Sequence, residues 1–391
     1  MRAGLADVLG RARLLFMQSH GGLAEAEFFH GKDSILSGPA GGVVGMAAAA
    51  RDAGYEKVVG FDMGGTSTDV SLYTGAFERT AASTIAGVRI TAPMMRIHTV
   101  ASGGGSILKY HQGRLQVGPE SAGAVPGPAC YGRGGPLTIT DANVLLGRIQ
   151  PDFFPAVFGA SGAEPIEVDI VQTMFAELAS RVNADASTQL GAEELAVGFL
   201  RIAVERMANA IKQISTQRGH DVTEFALCCF GGAAGQHACQ VADALGIETA
   251  ILHPLAGVLS AYGIGLADLR ALRVRALERA LDATAAAEID SAFVTLEADA
   301  YAELRAQGVA DDRLRSTRRL KLKVAGSDTT LSIPWQRTEA AARRDFHAAH
   351  RSRFGFVAPA RALIVESIEL EAIGEAAKPH PMAAPQQSET P

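Results

Sequence analysis

Two carboxylates flank a short run of glycines and hydroxyl side chains at residues 62–69, which read Asp62-Met63-Gly64-Gly65-Thr66-Ser67-Thr68-Asp69. Adjacent glycines let backbone N–H groups approach a phosphate, and the hydroxyls that follow can donate hydrogen bonds to it. The carboxylates of Asp62 and Asp69 offer the oxygen ligands that Mg²⁺ prefers, directly or through water. The segment therefore predicts a site for phosphate and a metal ion, formed by Gly64, Gly65, Thr66, Ser67 and Thr68 together with the two acids. A tight hairpin with Asx and threonine turn bonds would explain the glycines, but not two acids that bracket three hydroxyls.

Two further glycine blocks carry weaker signals. The block Gly231-Gly232-Ala233-Ala234-Gly235 follows an apolar strand at 225–230 and precedes a predicted helix at 236–245. It could place an adenosine or a phosphate against exposed backbone and a helix N-terminus, but close packing of strand on helix would use the same glycines. The block Gly103-Gly104-Gly105-Ser106 could line a substrate or nucleotide cleft, and loop flexibility explains it equally well.

The elements that must position these blocks alternate between strands and helices. A strand at 58–61 and a second strand containing Val70 and Leu72 make the first block a turn. The surrounding predicted elements are an Ala-rich helix at 37–53, a strand at 97–100, an ordered loop at 117–136, a helix that begins at Thr140-Asp141, an amphipathic helix at 193–215 and a strand at 249–252. Beyond residue 266 the composition predicts helical segments, a strand pair at 320–333, a last strand at 364–372 and a tail at 376–391.

Composition excludes several classes of protein. The 391 residues are 48% hydrophobic and 20% charged, which is typical of a globular protein. A net charge of -6 gives no basic surface for nucleic acid or for an anionic membrane, and no apolar run is long enough to span a bilayer. The four cysteines form no CxxC pair, so we expect neither disulfides nor a zinc site, and we expect a reducing cytoplasm. Cys228 and Cys229 lie in an apolar strand and are expected in the core. The scattered histidines at 98, 220, 237 and 253 are expected to be structural.

The sequence resembles the hydantoinase/oxoprolinase family, in the hydantoinase A-like part of ATP-hydrolysing 5-oxoprolinases. The resemblance extends to about Gly374, and many blocks occur in one order, among them 16–22, 35–42, 60–70, 127–131, 140–143, 217–222, 230–232, 235–239 and 253–261. The segment Gly326-Ser327-Asp328-Thr329 resembles the oxoprolinase branch more than the N-methylhydantoinase or ketone carboxylase branches.

The resemblance implies an α/β fold of the actin/sugar-kinase/Hsp70 type, with nucleotide in a cleft between two lobes. It divides the chain into a partial ATPase core at 1–270, a small C-terminal α+β region at 271–375 and a linker or tail at 376–391. It assigns ATP and Mg²⁺ as cofactors, makes Asp62 and Asp69 catalytic, and assigns nucleotide contacts to Gly231, Gly232 and Gly235. Ala234 stands where a further glycine is expected.

The implied activity is hydrolysis of 5-oxo-L-proline to L-glutamate, in which ATP phosphorylates the lactam oxygen and so removes the resonance protection of the amide. The family's N-terminal phosphate hairpin and its hydantoinase B-like partner or fused half are not found in this sequence. We therefore expect a fragment or one piece of a split protein that works in an oligomer and is inactive alone. The alternatives are a subunit that activates hydantoins or acetone with ATP, and a non-catalytic assembly remnant.

Overall fold

The protein has a mixed α/β fold, which confirms the predicted class at that level. A computed structural model describes residues 12–80, 83–85, 87–90, 92–357, 359 and 361–376. Every helix in these ranges is too short or too polar to cross a membrane. The described residues do not include the first eleven residues of the predicted ATPase core. They include only residue 376 of the predicted tail at 376–391.

The helices and strands follow in chain order. The helices are α1 Ser37–Asp52, α2 Ile139–Leu145, α3 Val168–Ala186, α4 Ala192–Ile214, α5 Ala238–Leu245, α6 Leu259–Leu266, α7 Ala283–Ala306 and α8 Glu339–Phe354. The strands are β1 Leu15–Met17, β2 Leu23–Glu25, β3 Lys57–Met63, β4 Thr68–Thr74, β5 Arg79–Thr80, β6 Ser83–Ile85, β7 Val88–Ile90, β8 Met94–Met95, β9 Ile97–Val100, β10 Ser106–His111, β11 Arg114–Ser121, β12 Ala226–Phe230, β13 Ala250–Leu252, β14 Leu269–Ala280, β15 Leu314–Val324, β16 Thr330–Pro334 and β17 Leu363–Gly374.

Two compact units divide the chain. One contains the described residues up to Ile35, then Ile264–Arg351 and the described residues from Gly355 onward; the other contains Leu36–Gly263 and Ser352–Phe354. These compact units separate at residue 264, and they group the residues before Leu36 with the second half of the chain. The division into domains at residue 270 stays a prediction.

The unit that holds the second half of the chain is built on a six-stranded sheet in the order β1-β2-β14-β17-β15-β16. The long strands β14, β17 and β15 pair antiparallel, and α7 packs on them. The expected strands at 320–333 and 364–372 are present as β15, β16 and β17. Strand β14 was not predicted, because the Ala- and Arg-rich composition suggested helix there; its apolar and charged residues do not alternate strictly, and its pairing with β17 establishes the strand.

The other unit is built on a five-stranded sheet in the order β13-β12-β3-β4-β9. Strands β13, β12 and β3 run parallel, whereas β3, β4 and β9 are antiparallel. On one face α1 covers the sheet, and an ideal Cβ at Gly60 would lie 2.7 Å from Met46 Sδ. On the other face Phe61 and Leu72 share a core with residues of α4 such as Met207. The predicted strand, turn and strand around residues 62–69 are confirmed as β3 and β4.

Two local predictions in this unit are corrected. The connection at 117–136 is not a loop throughout, because its first residues belong to β11. The pairing of β10 with β11 shifts register beside Gly118-Pro119, and this irregularity accommodates a proline, which has no N–H to donate to the strand pairing. Helix α2 begins after Thr138, which is its N-cap, rather than at Thr140-Asp141; Asp141 closes the capping box by accepting a bond from Thr138 N at 2.7 Å.

Two further helices also differ from expectation. Helix α3 was not predicted, and α5 begins at Ala238, after a 3₁₀ turn, rather than at residue 236.

Small residues let α1 and α6 approach closely, which fixes the layer on one face of the sheet. An ideal Cβ at Gly263 would lie 2.0 Å from Gly41 O and 2.4 Å from Gly45 N. Backbone cannot move away from such a contact as a flexible side chain can. Glycine at position 263 is therefore required by packing.

We expect Gly263→Ala to lower the free energy of unfolding by about 1–3 kcal/mol, because the new methyl group overpacks the contact with α1. Gly265 offers a matched control in α6, since its ideal Cβ meets nothing within 4 Å. Gly265→Ala should leave stability unchanged or raise it by about 0.5–1 kcal/mol. Denaturant unfolding of both variants measures the difference, and equal stabilities would contradict the close approach.

Candidate functional site

The first glycine block forms the turn between β3 and β4. The strands pair as far as Met63 and Thr68, so residues 64–67 make the turn, and Gly64 N donates to Ser67 O at 3.1 Å. Asp62 and Asp69 lie directly opposite each other in the register. Directly opposed residues have their side chains on one face of a sheet, so the two carboxylates are neighbours.

The backbone of the turn presents three consecutive N–H groups that are not used within the described part of the protein. Among the described residues, no acceptor receives a hydrogen bond from the backbone nitrogen of Gly65, Thr66 or Ser67. Gly65 and Thr66 are exposed. Ideal Cβ atoms at Gly64 and Gly65 would meet nothing within 4 Å, so space remains beside the turn. Successive free N–H groups in a turn form a concave site for an anion.

The predicted phosphate contact of Thr68 is corrected by the structure. Alternation along β4 places Thr68 on the face opposite Asp69. The side chain has no exposed surface, and its hydroxyl donates to Ser102 O. The hydroxyl of Thr68 therefore holds the following segment of the chain rather than facing the open side of the turn.

The carboxylate pair is partly buried and has no positive neighbour. Burial, and then the charge of Asp69, raises the pKa of Asp62 to about 7. Burial also raises the pKa of Asp69, and Thr99 opposes this by donating its hydroxyl proton to Asp69 Oδ1 at 2.6 Å. In the described part of the chain, neither carboxylate forms an ion pair with Lys, Arg or His. Two adjacent carboxylates without a counter-charge suit a divalent cation, so the donor set fits Mg²⁺.

The block at 103–105 supports the hairpin turn from behind, which corrects its predicted role as a nucleotide contact. All three glycines are buried, and all three N–H groups donate within the protein: Gly103 N to Ser106 Oγ at 3.0 Å, Gly104 N to Gly64 O at 3.0 Å and Gly105 N to Gly65 O at 2.6 Å. An ideal Cβ at Gly103 would lie 2.6 Å from the backbone nitrogen of Thr66. Close backbone packing, rather than loop flexibility, accounts for these glycines.

The block at 231–235 also packs against the end of β3. Gly231 has a φ of +86°, and an ideal Cβ there would lie 2.5 Å from Asp62 Oδ1. Ala233 N donates to Met63 O at 3.0 Å. Gly232 differs from Gly231, since its Cβ would meet nothing within 4 Å. Gly231 therefore packs closely beside the carboxylates. Gly232 and Gly235 are both exposed and keep the open backbone that a ligand contact needs.

Residues that sequence reasoning did not assign complete the site. Thr99 lies opposite Asp69 on β9, and only the strand register reveals this pairing. Asp141 accepts bonds from Ala129 N at 3.1 Å and from Cys130 N at 2.8 Å, in addition to its capping bond, and so fixes a loop that begins beside Gly105. The pattern Thr138-x-x-Asp141 was the available sequence signal.

Cys228, Cys229 and His237 lie in the core. Burial raises the pKa of both Cys228 and Cys229 to about 12, which confirms that they are core residues rather than nucleophiles. His237 is fully buried. Within the described ranges, no three His, Cys, Asp or Glu side chains gather as a metal cluster.

Comparison with known proteins identifies the family. The sequence profile described as hydantoinase/oxoprolinase matches residues 1–273. The chain belongs to the hydantoinase/oxoprolinase family. It is 42% identical to a 5-oxoprolinase of Saccharomyces cerevisiae over 364 residues, which cover 92% of this chain and 28% of that protein. It is 39% identical to 5-oxoprolinase 1 of Arabidopsis thaliana over 379 residues, 94% of this chain and 30% of that protein. The chain thus spans less than a third of the length of these relatives.

Two solved structures are similar to this chain. The crystal structure of an ATP-dependent caprolactamase from Pseudomonas jessenii superposes with a TM-score of 0.81 at 30% identity, over 93% of this chain and 53% of that one. A nucleotide-free acetone carboxylase structure superposes with a TM-score of 0.66 at 22% identity, over 94% of this chain and 53% of that one, which shows a shared fold.

The raised pKa of Asp62 predicts a pH-dependent stability. Between its ordinary value of 3.8 and about 7, Asp62 is protonated in the folded protein and ionised in the unfolded one. The folded state then binds the extra proton, so the contribution of Asp62 to the free energy of unfolding is lost as the pH rises through about 7. We expect Asp62→Asn to stabilise the metal-free protein relative to wild type at about pH 8 and to change it little at about pH 4.

Unfolding midpoints at the two pH values measure this effect. Asp185→Asn, which removes an exposed carboxylate that accepts a hydrogen bond from Tyr110, is the control for the removal of a negative charge. A gain for Asp62→Asn that is the same at both pH values would contradict the raised pKa.

Proposed function

We propose that this chain carries the nucleotide-binding, lactam-phosphorylating part of an ATP-dependent cyclic amide hydrolase. The observation that carries the proposal is the hairpin turn, where three unused N–H groups lie next to two uncompensated carboxylates. N–H groups in this arrangement bind phosphate oxygens, and the carboxylates can hold the cation that accompanies a nucleoside triphosphate.

The chain's own residues would divide the work as follows. Gly65, Thr66 and Ser67 would bind and orient the terminal phosphates, and the open backbone at Gly232 and Gly235 would contact the remainder of the nucleotide. Asp62 and Asp69 would hold Mg²⁺, which supplies neutralisation of the phosphate charge when bound. Thr99 would keep Asp69 oriented, and Gly231 would leave room for Asp62. Phosphoryl transfer depends mainly on such positioning and charge neutralisation.

The substrate that we propose is 5-oxo-L-proline. Relatives named 5-oxoprolinase are 36% to 42% identical to this chain, whereas the caprolactamase subunit alpha of Pseudomonas jessenii is 31% identical. Phosphorylation of a lactam oxygen makes the amide carbon electrophilic, and hydrolysis of the ring would then give L-glutamate. A hydantoinase B-like subunit or fused half would carry out that hydrolysis, and we propose a cytoplasmic oligomer.

The ATPase fold is part of the same proposal. We assign the unit built on β13-β12-β3-β4-β9 to an actin/sugar-kinase/Hsp70-type lobe, with the C-terminal α+β region as a separate domain. The position of the glycine turns supports this, because ligands of α/β sheets bind beyond the carboxyl ends of parallel strands such as β3 and β12.

We expect Asp62→Asn and Asp69→Asn each to lower ATP-dependent 5-oxoproline hydrolysis by at least about 100-fold in the assembled enzyme, because each variant removes one carboxylate from the cation site. Glutamate release and phosphate release measure the effect, with Asp185→Asn as the control. Unchanged phosphate release in both variants would overturn the assignment. Assays with hydantoin, caprolactam and acetone in place of 5-oxoproline distinguish the related activities.

We expect Gly65→Val to lower nucleotide affinity and Gly103→Val to lower thermal stability. The new side chain at position 65 enters open space, so the thermal midpoint should stay near wild type while nucleotide affinity falls by about tenfold or more. The side chain at position 103 meets the backbone of Thr66, so the thermal midpoint should fall. Calorimetric titration with ATP and thermal unfolding measure the two quantities. A Gly65→Val protein with normal affinity would place the ligand elsewhere.

A further inference from the structure

Helix α2 contacts one glycine block, at 103–105, and the residues that directly follow another, Gln236 and His237. In its first turn, Thr140 donates to Gly104 O from its backbone nitrogen at 2.8 Å and from its hydroxyl at 2.9 Å. One turn later, Asn143 Nδ2 donates to Gln236 Oε1 at 2.9 Å and lies 3.3 Å from His237 Nε2. Residues three apart on a helix lie on the same side, so Thr140 and Asn143 reach both segments from one face.

These bonds form a continuous connection from the hairpin turn to the loop at 231–237. Gly64 O accepts from Gly104 N, Gly104 O accepts from Thr140, and Asn143 then reaches Gln236. Other bonds in the described part of the protein also hold the loop: Ala233 N donates to Met63 O and Gly231 N to Ala256 O at its start, and Arg148 Nη1 lies 3.4 Å from Gln236 O at its end. The Asn143 contact is distinct because it joins the end of the loop to α2 and, through Thr140, to the segment that supports the hairpin turn.

The Asn143 contact is enclosed by protein. Asn143 and His237 both have no exposed surface. Burial, and then the charge of Arg148, lowers the pKa of His237 to about 4, so the imidazole is neutral near pH 7 and its Nε2 can accept from the Asn143 amide.

The contact is kept at a cost in stability. Asn143 Oδ1 and His237 Nδ1 are both buried and have no hydrogen-bond partner in the described part of the protein. A buried polar atom without a partner lowers stability, and an apolar residue at position 143 would remove the unpartnered Oδ1. A polar group retained under this penalty is better explained by the geometry that its other bonds define than by stability.

We propose that Asn143 is a positioning residue for nucleotide binding. It holds the 231–237 loop in a fixed orientation relative to the hairpin turn, so that the open backbone at Gly232 and Gly235 faces the same ligand as the free N–H groups of the turn. Asn143 acts through Gln236 and His237 and contacts no substrate itself. The inference rests on the proposed function, since it assumes that both segments bind one nucleotide.

The test uses variants at both ends of the contact in the purified assembly that contains this chain. Asn143→Ala removes the donor, and Gln236→Leu removes the acceptor while it keeps the size of the side chain. Gln236→Glu keeps an acceptor oxygen at the same position. Asn183→Asp is the matched control, because Asn183 also bonds a loop near a helix end, through Leu190, but is not part of the connection between the glycine blocks.

We expect Asn143→Ala and Gln236→Leu each to weaken ATP binding by roughly tenfold per folded protein, and the double variant to lose little more, because both changes break one contact. Gln236→Glu should retain more affinity than Gln236→Leu, which side-chain packing alone would not produce. Asn183→Asp should bind ATP as wild type does. Calorimetric titration with ATP measures affinity, and thermal unfolding measures the folded fraction.

A second readout does not depend on nucleotide. The ¹⁵N spectrum of the His237 imidazole reports which ring nitrogen carries the proton, and Asn143→Ala should change it, because Nε2 loses its donor. An unchanged spectrum would overturn the contact. Normal ATP affinity in Asn143→Ala and Gln236→Leu, or a loss explained wholly by unfolding, would overturn the positioning role while the proposed function stands. Absence of ATP binding by the wild-type assembly would instead overturn the proposed function, and this inference with it.

Discussion

Direct backbone contact between two turns is the constraint on which the site depends. Gly104 and Gly105 donate to the carbonyl groups of Gly64 and Gly65, and Gly103 lies against the backbone of Thr66. A side chain at position 103 would separate the turns, because its Cβ would overlap backbone atoms that cannot move alone. Since the carbonyl groups of the hairpin turn are bound from behind, its N–H groups are left on the open side.

The carboxylates have the opposite character to the turns, because their environment is electrostatically unsatisfied. Packing by Gly231 brings backbone close to Asp62, and burial raises the pKa values of both acids, which have no positive neighbour among the described residues. A protein that only needed a stable hairpin would gain by neutral residues at these positions. Unused N–H groups and uncompensated acids in one place are together what a phosphate with its cation would satisfy.

The sheet explains why these groups meet although they are far apart in the chain. Strands β3 and β12 run parallel, so the segments after Met63 and after Phe230 leave the sheet at the same edge. Strand β9 pairs with β4 and brings residues 99–106 to that edge, and α2 then links the segments through Thr140 and Asn143. The sequence blocks that carry the family resemblance at 60–70, 140–143, 230–232 and 235–239 are therefore close together in the fold.

Local sequence determined the hairpin around residues 62–69. Alternation around residues 58–72, the glycines at 64 and 65 and the acids at 62 and 69 were sufficient to predict a hairpin that could bind phosphate, because turn chemistry and strand period act over a few residues. Strand β14 was misassigned because its composition suggested helix, whereas its long-range pairing with β17 makes it a strand. The start of α2 was misassigned because the cap at Thr138 was overlooked. Only the tertiary structure decided which glycines have open space beside them and which face protein, that Thr68 points to the core, that Thr99 bonds Asp69 and that Asn143 bonds Gln236. Those distinctions depend on which groups lie within a few ångströms of each residue, and residues about 30 to 170 positions away in the chain supply those groups.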